Sequence, residues 1–296
     1  MSQSLQSFGE EFYAIGTTWH IDITHTDSNT ALGVFSELRS RIELFEKTYS
    51  RFRTDSLIYE MSQHAGVYPL PTDAIPMFDL YKKMYNLSKG LMTPLIGQML
   101  HDTGYDATYS LIPKPIIRQV PTWDSALKYN PQTKTLTVYT PVQLDLGAIG
   151  KGYIIDIVRN ICKEKHIQTY TIDAGRDIYH YGNKETPLSI GLENPFNTTQ
   201  AIGTAHIAQG AICGTSGNRR AWSTYTHILN PETQTSPRDI SAVWITAEDA
   251  MIADALTTAI FFTPIDILQK HFSFEYILVY SDGSAMISNN FPGELF

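Results

Sequence analysis

Apolar residues recur every three or four positions along residues 31–49, which is the spacing of one face of an amphipathic α-helix. Similar spacing predicts a second helix over 74–87, which ends at the glycine stop Lys89-Gly90. Two further helices are predicted after Lys151 and over 251–262. The inward face of the first helix is predicted to carry Leu32, Phe35, Leu38, Ile42, Phe45 and Tyr49.

Alternating apolar and polar residues predict strands between these helices. The clearest are 13–25, 168–173, 186–192 and 240–247, and a hairpin over 127–141 turns at Asn130-Pro131-Gln132. Residues 102–124 contain three prolines and little periodicity, so they predict a long connection that could divide two lobes. Strands and helices are mixed without strict alternation. This order favours an α+β fold with mixed or antiparallel sheets flanked by helices over a doubly wound parallel sheet.

The composition is that of an ordinary globular protein. The chain has 296 residues, of which 43% are hydrophobic and 18% charged, and this excludes a disordered chain. A formal net charge of -8 argues against general binding to nucleic acids or to anionic membrane surfaces. An anionic ligand would therefore need a metal ion, a basic side chain or a helix N-terminus. The two cysteines, Cys162 and Cys213, suggest neither a disulfide framework nor a zinc site.

The N-terminal residues show no secretory signal and no lipidation cysteine. No apolar run approaches the roughly 20 residues that a membrane-spanning helix needs, so no stable membrane insertion is expected. The expected compartment is the cytoplasm. A periplasmic protein that has lost its leader would have the same sequence features.

Residues 144–156, LDLGAIGKGYIID, predict a strand, a tight glycine turn over 147–152 and a helix that begins near Lys151. Such a turn presents backbone N–H groups beside the positive end of a helix, where a phosphate can bind. The spacing matches neither a Walker loop nor the dinucleotide fingerprint. A close-packed turn without a ligand explains the glycines equally well.

Asp254 and Thr258 are spaced i and i+4 on an otherwise apolar helix, so both oxygens project from one face. A buried carboxylate needs a partner, and Mg²⁺ takes one or two carboxylates together with waters and substrate phosphates. An Asp at the solvent-facing rim of the helix is the alternative. The spacing therefore indicates a candidate magnesium site.

Residues 214–234 form a polar segment with hydroxyls, a basic pair and one histidine. His227 could exchange a proton near neutral pH or donate to a phosphate, although a lone histidine is more often structural. Arg219 and Arg220 suit phosphate or carboxylate recognition. No His-x-x-x-His spacing accompanies them, which argues against a zinc enzyme.

These segments, in this order, resemble the FAD:protein FMN transferase family, once described as thiamine-biosynthesis lipoproteins. The resemblance covers nearly the whole chain. It rests on Ile15-Gly16-Thr17, YSRFRTDS at 49–56, Asp145 through Lys151 to Asp156, Thr215 to Gly217 with His227 to Pro231, and Ala253 to Thr258. The family pattern changes at Ser62, Met92, Thr93, Arg176 and Gln234.

The resemblance implies one transferase domain over 1–296 with two lobes and a ligand cleft between them. It implies a flavin transferase that cleaves FAD, attaches FMN to a Thr or Ser of an acceptor flavoprotein and releases AMP. The implied Mg²⁺ ligands are Asp254, Thr258, a carbonyl at Ala148 and a second near Met251. The implied FAD-binding residues are Ile15, Tyr49, Leu91, Met92, Thr93, Asp145, Lys151, Ser216, His227 and Ile228.

In the implied mechanism His227, Lys151 and Asp254 are catalytic. Lys151 stabilises the attacked phosphorus, and His227 accepts the hydroxyl proton, with Asp254 as the alternative acceptor. Hydrolysis of FAD to FMN and AMP is a rival activity because water can enter an open cleft. Two other functional classes remain. The first is a flavin-binding protein without catalysis, which the changes at Met92, Thr93 and Arg176 favour. The second is a scaffold protein that binds no ligand.

Overall fold

The computed structural model describes residues 6–25, 27–217 and 220–296. Its α-helices are α1 Ser28–Tyr49, α2 Leu57–Gln63, α3 Ile75–Leu87, α4 Gly97–Asp102, α5 Trp123–Ala126, α6 Gly147–Glu164, α7 Ala250–Ala259 and α8 Ile265–Gln269. Its strands are β1 Gln6–Ala14, β2 Thr17–His25, β3 Gly66–Pro69, β4 Leu127–Asn130, β5 Thr135–Val138, β6 Thr169–Ala174, β7 Ile178–Tyr181, β8 Leu188–Glu193, β9 Ala201–Ile207, β10 Gln209–Ser216, β11 Ala221–Trp222, β12 Tyr225–Thr226, β13 Ile240–Ala247, β14 Glu275–Tyr280, β15 Ala285–Ile287 and β16 Gly293–Leu295.

The centre of the molecule is an eight-stranded sheet with the order β1-β2-β6-β7-β10-β13-β14-β15. Two three-stranded sheets, β16-β9-β8 and β3-β5-β4, and the small β11-β12 pair accompany it. The paired strands run antiparallel throughout these sheets. The α+β class predicted from the mixed order of elements is confirmed.

The main core lies between the large sheet and the helices α1, α3, α6 and α7. Trp19 and Ile21 of β2 are fully buried there, and α1 contributes Leu38 and Ile42. A smaller core on the opposite face joins β8 and β9 to the sheet through Leu192, Ala205, Ile207, Ile212, Ala242, Ile277, Val279 and Phe291. The large sheet is therefore covered on both faces.

Helix α1 confirms its prediction except at Leu32, whose side chain is 65% exposed. Ala31 and Val34 are buried instead, because the helix begins at Ser28 and its inward stripe lies slightly to one side of Leu32. The predicted hairpin at 127–141 is confirmed as β4 and β5. The connection 102–124 has no strand and only the one-turn helix α5 near its end.

The strand predicted over 13–25 is wrong as one element, since a hairpin turn divides it into β1 and β2. Ile15 and Gly16 have φ values of 51° and 71°, and Ala14 pairs directly with Thr17. Two successive left-handed residues form the tight turn whose twist matches that of the flanking strands. Apolar alternation continues across the turn, so the pattern does not mark the reversal.

The strand–turn–helix predicted over 144–156 is also wrong in its local structure. Helix α6 begins at Gly147, so all three glycines of 147–152 lie inside its first turns, and residues 139–146 contain no strand. The Asp145 carboxylate accepts a hydrogen bond at 2.9 Å from the N–H of Gly147, the first residue of the helix, and so satisfies one of its free N–H groups. The strand β10, which runs from 209 into the predicted polar loop, was not predicted.

Within the described ranges, the longest apolar helices fall short of what crossing a bilayer requires.

Candidate functional site

A large cleft of about 1040 Å³ opens between the first turns of α6, helix α7 and the ends of β2, β6 and β10. It gathers thirteen of the fourteen residues that the sequence placed in the site. They are Ile15, Tyr49, Leu91, Met92, Thr93, Asp145, Ala148, Lys151, Ser216, His227, Ile228, Asp254 and Thr258. These residues come from segments more than 200 positions apart, so their convergence is a product of the fold.

Asp254 is fixed where α6 and α7 touch. Its Oδ2 atom accepts a hydrogen bond from the Gly152 N–H at 2.8 Å, and the side chain is almost completely buried. A Cβ atom at Gly152 would lie 2.2 Å from the Ala250 carbonyl oxygen and 2.7 Å from the Asp254 Cβ. Glycine is therefore required for the two helices to approach this closely. The rim position considered for Asp254 is wrong, and burial raises the pKa of its carboxyl group.

Lys151 is the cation beside this carboxylate. Its Nζ atom lies 3.6 Å from Asp254 Oδ1 and contacts Asp177 Oδ2. The other oxygen of Asp177 accepts a hydrogen bond from the Gly214 N–H at 3.2 Å, and Asp177 is buried. One ammonium group therefore stands between two buried carboxylates. Asp177 was not among the residues predicted from the sequence, although it directly follows Arg176, one of the positions where the family pattern changes.

Asp156, the second acidic residue of the family pattern, holds the start of α7 in place. It accepts hydrogen bonds from the first N–H groups of α7, Ala250 at 3.0 Å and Met251 at 2.9 Å. Burial raises the pKa of Asp156 to about 6, although the neighbouring Arg159 opposes that change. Asp156, which lies on α6, thus caps the N-terminus of α7. Met251 is absent from the cleft wall as far as the described chain shows.

Thr258 lies one helical turn after Asp254 and faces the cleft, as the i, i+4 spacing predicted. Its neighbour Thr257 points into the protein, where its hydroxyl donates to the Asp254 carbonyl at 2.7 Å and accepts from Thr215 at 2.9 Å. Among the described residues, no hydrogen-bond partner is found for the Thr258 hydroxyl. That oxygen is therefore available to a ligand in the cleft.

The donor set fits a hard cation. One buried carboxylate, one unpartnered hydroxyl and the backbone at Ala148 supply oxygens on the same wall, and Mg²⁺ prefers oxygen ligands with waters and phosphates completing its shell. The described residues contain no group of three or more His, Cys, Asp or Glu side chains that could hold a metal.

His227 lines the cleft with its Nδ1 atom buried and without a hydrogen-bond partner in the described chain. Burial, together with the positive charges of Arg220 and Lys151, lowers the pKa of His227 to about 3. The imidazole is therefore neutral at pH 7 and can accept a proton. Arg220 also lines the cleft, whereas Arg219 lies outside the described residues.

Asp145 is held by an arginine that the sequence did not single out. Arg51 donates from Nε to Asp145 Oδ2 at 2.5 Å and from Nη2 to the Tyr105 carbonyl at 2.8 Å. Its guanidinium also lies 4.1 Å from the centre of the Phe52 ring. The motif at 49–56 contains Arg51, but nothing in a local pattern indicates a partner 94 positions away.

The lining of the cleft combines two kinds of apolar surface with charged groups. Ile15, Tyr49, Met92, Tyr105 and Tyr109 contribute a mixture of aromatic and aliphatic surface suited to a planar ring. Ile178, Ile190, Ile212 and Trp244, which belong to the smaller core or pack against it, also line the cleft, together with Arg176 and Glu193. The cleft thus offers apolar surface beside the cationic and carboxylate groups of Lys151 and Asp254.

The family model described as the ApbE family matches residues 15–275. The Rhodobacter capsulatus FAD:protein FMN transferase is 26% identical over 58% of this chain and 35% of its own length. The Haemophilus influenzae protein of the same name is 21% identical over 90% of this chain and 85% of its own length. The matches to the first two relatives thus span well under half of those proteins, 35% and 39%.

Solved structures share the fold. An ApbE protein from Thermotoga maritima superposes with a TM-score of 0.86 at 22% identity, covering 98% of this chain and 100% of that one. The flavin transferase ApbE from Vibrio cholerae superposes with a TM-score of 0.79 at 19% identity, covering 97% of this chain and 99% of that one. At these identities the likeness establishes the architecture.

Proposed function

Because this chain belongs to the ApbE family, we propose that it is a magnesium-dependent FAD:protein FMN transferase. It cleaves the diphosphate of FAD, attaches FMN through a phosphoester bond to a Thr or Ser of an acceptor flavoprotein, and releases AMP. The observation that carries this proposal is the grouping of Lys151, Asp254 and Thr258 on one wall of a cleft of about 1040 Å³. The names of the curated relatives agree with it.

Asp254, Thr258 and the Ala148 carbonyl would hold the metal ion. When bound, Mg²⁺ supplies positive charge to the diphosphate and to the departing AMP. Gly152 and Lys151 orient the Asp254 carboxylate, through the hydrogen bond at 2.8 Å and the ammonium at 3.6 Å, and both oppose the rise in its pKa that burial causes. Met251, whose N–H is bound by Asp156, is the least supported of the ligands that the sequence suggested.

Lys151 has a second task in this proposal. Its ammonium is pre-positioned by Asp177, which is itself fixed by the Gly214 N–H. A phosphate entering the cleft can draw the ammonium toward itself, and the charge on phosphorus oxygens is then stabilised without a large rearrangement of the protein. Arg220, on the same wall, adds positive charge.

His227 is the proposed acceptor of the proton from the attacking hydroxyl. It is neutral at pH 7, and its low pKa results from burial and from the cations around it. A bound diphosphate places negative charge among those cations, which raises the basicity of the imidazole when substrate is present. Asp254 is the alternative acceptor, but its two oxygens already face the Gly152 N–H and the Lys151 ammonium.

The second candidate function is hydrolysis of FAD to FMN and AMP. The volume of about 1040 Å³ leaves room for water beside a bound dinucleotide, and this observation favours it. AMP release without any protein acceptor measures the hydrolysis. FMN mass on a protein measures the transfer, so the two activities are separable in one reaction.

The test is to incubate the protein with FAD, Mg²⁺ and candidate acceptor flavoproteins, and to look for added FMN by mass spectrometry. We expect labelling by the native protein and a loss of at least a hundredfold in D254N, which removes the charge but keeps the shape. The matched control is D249N, because Asp249 precedes the same helix and pairs with Arg159 away from the cleft. Equal labelling by D254N and D249N would refute the assignment of the metal site.

A further inference from the structure

Strand β8 is the last strand of its sheet. The order β16-β9-β8 leaves one side of β8 without a neighbouring strand among the residues that the structure describes. An edge of this kind presents unpaired N–H and C=O groups to whatever lies beside it. The sequence of β8, LSIGLE, contains neither the lysine nor the proline that commonly protects such an edge.

The pairing of β9 shows which groups of β8 face outward. The His206 N–H donates to the Pro292 carbonyl at 2.6 Å, and the Ile202 carbonyl accepts from the Phe296 N–H at 3.0 Å. Even-numbered residues of β9 therefore bond toward the β16 side, and odd-numbered residues bond toward β8.

The odd residues Ala205 and Gly203 stand opposite Ile190 and Leu192. Ile190 and Leu192 consequently direct their backbone groups to β9. Ser189 and Gly191, which alternate with them, direct their N–H and C=O groups to the free edge.

The free edge opens into the cleft. Ile190 and Gly191 both line the cleft, although successive side chains of a strand point to opposite faces. Gly191 has no side chain, so the cleft meets the backbone of β8 at this residue. Gly191 is exposed, and a Cβ built on it would meet only Ala201, at an ordinary 3.9 Å, so an alanine also fits at this position.

This edge lies beside the groups proposed to carry out the reaction. Glu193, at the end of β8, pairs with Arg176 at 3.4 Å. Arg176 occupies the turn between β6 and β7 with a φ of 81°, and the next residue, Asp177, contacts Lys151. A chain laid along β8 would therefore run past the Arg176 turn toward the Lys151 ammonium.

We propose that the free edge of β8 binds an extended segment of the acceptor protein by strand addition and so delivers its Thr or Ser hydroxyl to the cleft. This inference rests on the proposed transferase function. Main-chain hydrogen bonds to Gly191 and Ser189 provide affinity without a strict sequence requirement. Side chains of the added strand alternate in direction, so one of two neighbouring residues faces the apolar surface of Ile190 and Trp244.

The test compares two substitutions at one position. G191P removes the outward N–H while the pairing with β9 remains, because proline is tolerated on an edge where its nitrogen faces away from the sheet. G191A keeps the N–H and is the matched control. The probe is a library of ten-residue peptides with a central Thr and varied flanks, incubated with FAD and Mg²⁺, and labelling is read as FMN mass.

We expect G191P to lose at least tenfold in peptide labelling, while its FAD affinity and its AMP release without peptide stay within twofold of the native protein. G191A should label as the native protein does. Equal labelling by G191P, or an equal loss in G191A, overturns the inference. So does a native protein that binds FAD but labels no peptide. A native protein that does not bind FAD at all refutes the proposed function instead.

A second measurement does not depend on the folding of G191P. The best-labelled peptide is remade with a single N-methyl group at each position in turn. Strand addition predicts that labelling falls at every second position, because only alternate N–H groups of an added strand face β8. A loss without that alternation overturns the inference.

Discussion

The Gly152 N–H donates a hydrogen bond to Asp254 Oδ2 at 2.8 Å, which joins the second turn of α6 to the middle of α7. The two residues are 102 positions apart, and the bond is buried. It aims the carboxylate at the cleft while Lys151, the preceding residue, approaches the other oxygen. Helix contact and site geometry therefore depend on the same glycine.

Replacing Gly152 with alanine should separate the two helices. Its Cβ would lie 2.2 Å from a backbone oxygen that cannot move aside, so we expect G152A to lower the free energy of unfolding by about 1–3 kcal/mol. FAD turnover should fall with it. The matched control is G150A, whose Cβ would meet the Phe45 ring at an ordinary 3.7 Å. Urea unfolding measures the stability of both variants, and equal stability of G152A and G150A would contradict the tight contact between α6 and α7.

Thr258 and Thr257 are adjacent but should respond oppositely to removal of the hydroxyl. T258V removes a cleft oxygen that has no partner in the described chain, so stability should stay within about 0.5 kcal/mol while the Mg²⁺ concentration needed for half-maximal turnover rises several-fold. T257V breaks bonds to Asp254 and Thr215, and should lower stability by about 1 kcal/mol. Thermal unfolding and a Mg²⁺ titration separate the two effects. An unchanged Mg²⁺ requirement in T258V would remove Thr258 from the metal site.

Asp102 should anchor the irregular segment 103–122. It is fully buried and accepts two hydrogen bonds from the Arg118 side chain, at 2.6 and 2.7 Å. Burial alone would raise the pKa of Asp102, but the bonds from Arg118 and Lys114 outweigh it and lower the pKa to about 2. We expect D102N to lower the free energy of unfolding by about 3 kcal/mol at pH 7.

The pH dependence of that effect follows from the sign of the shift. A carboxyl group with a lowered folded-state pKa stabilises the protein above about pH 4, and this contribution is lost as the pH falls through about 2. The difference in the free energy of unfolding between the native protein and D102N should therefore decrease as the pH is lowered from 4 to 2. D124N is the control, since the Asp124 side chain is 90% exposed and pairs with Lys82 at 3.3 Å, and it should cost less than about 1 kcal/mol.

His227 should make the protein sensitive to mild acid. Its folded-state pKa of about 3 lies below the ordinary value of 6.5, so the unfolded chain binds a proton first as the pH falls. The stability contributed at pH 7 is then lost progressively between pH 6.5 and 3, with a slope of up to about 1.4 kcal/mol per pH unit. H227Q should flatten this slope in urea unfolding curves measured across that range. H64Q, at an exposed position, should follow the native curve, and a native-like slope in H227Q would contradict the burial of a neutral imidazole.

The sequence by itself determined the helices α1, α3 and α7 and the faces on which their functional residues lie. Apolar periodicity is a local property, and the i, i+4 spacing places Asp254 and Thr258 on one face whatever the fold. The motif from Asp145 to Asp156 also located a helix end that faces the cleft, although its glycines lie inside the helix.

Only the tertiary structure decided which carboxylates meet which partners. Asp156 and Asp254 are both acidic residues on apolar helix faces, yet one caps α7 and the other faces the cleft. The pairs Lys151–Asp177 and Arg51–Asp145, and the free edge of β8, likewise depend on contacts between distant segments. A residue's type fixes what bonds it can form, but its partner is set by long-range packing, which no local pattern encodes.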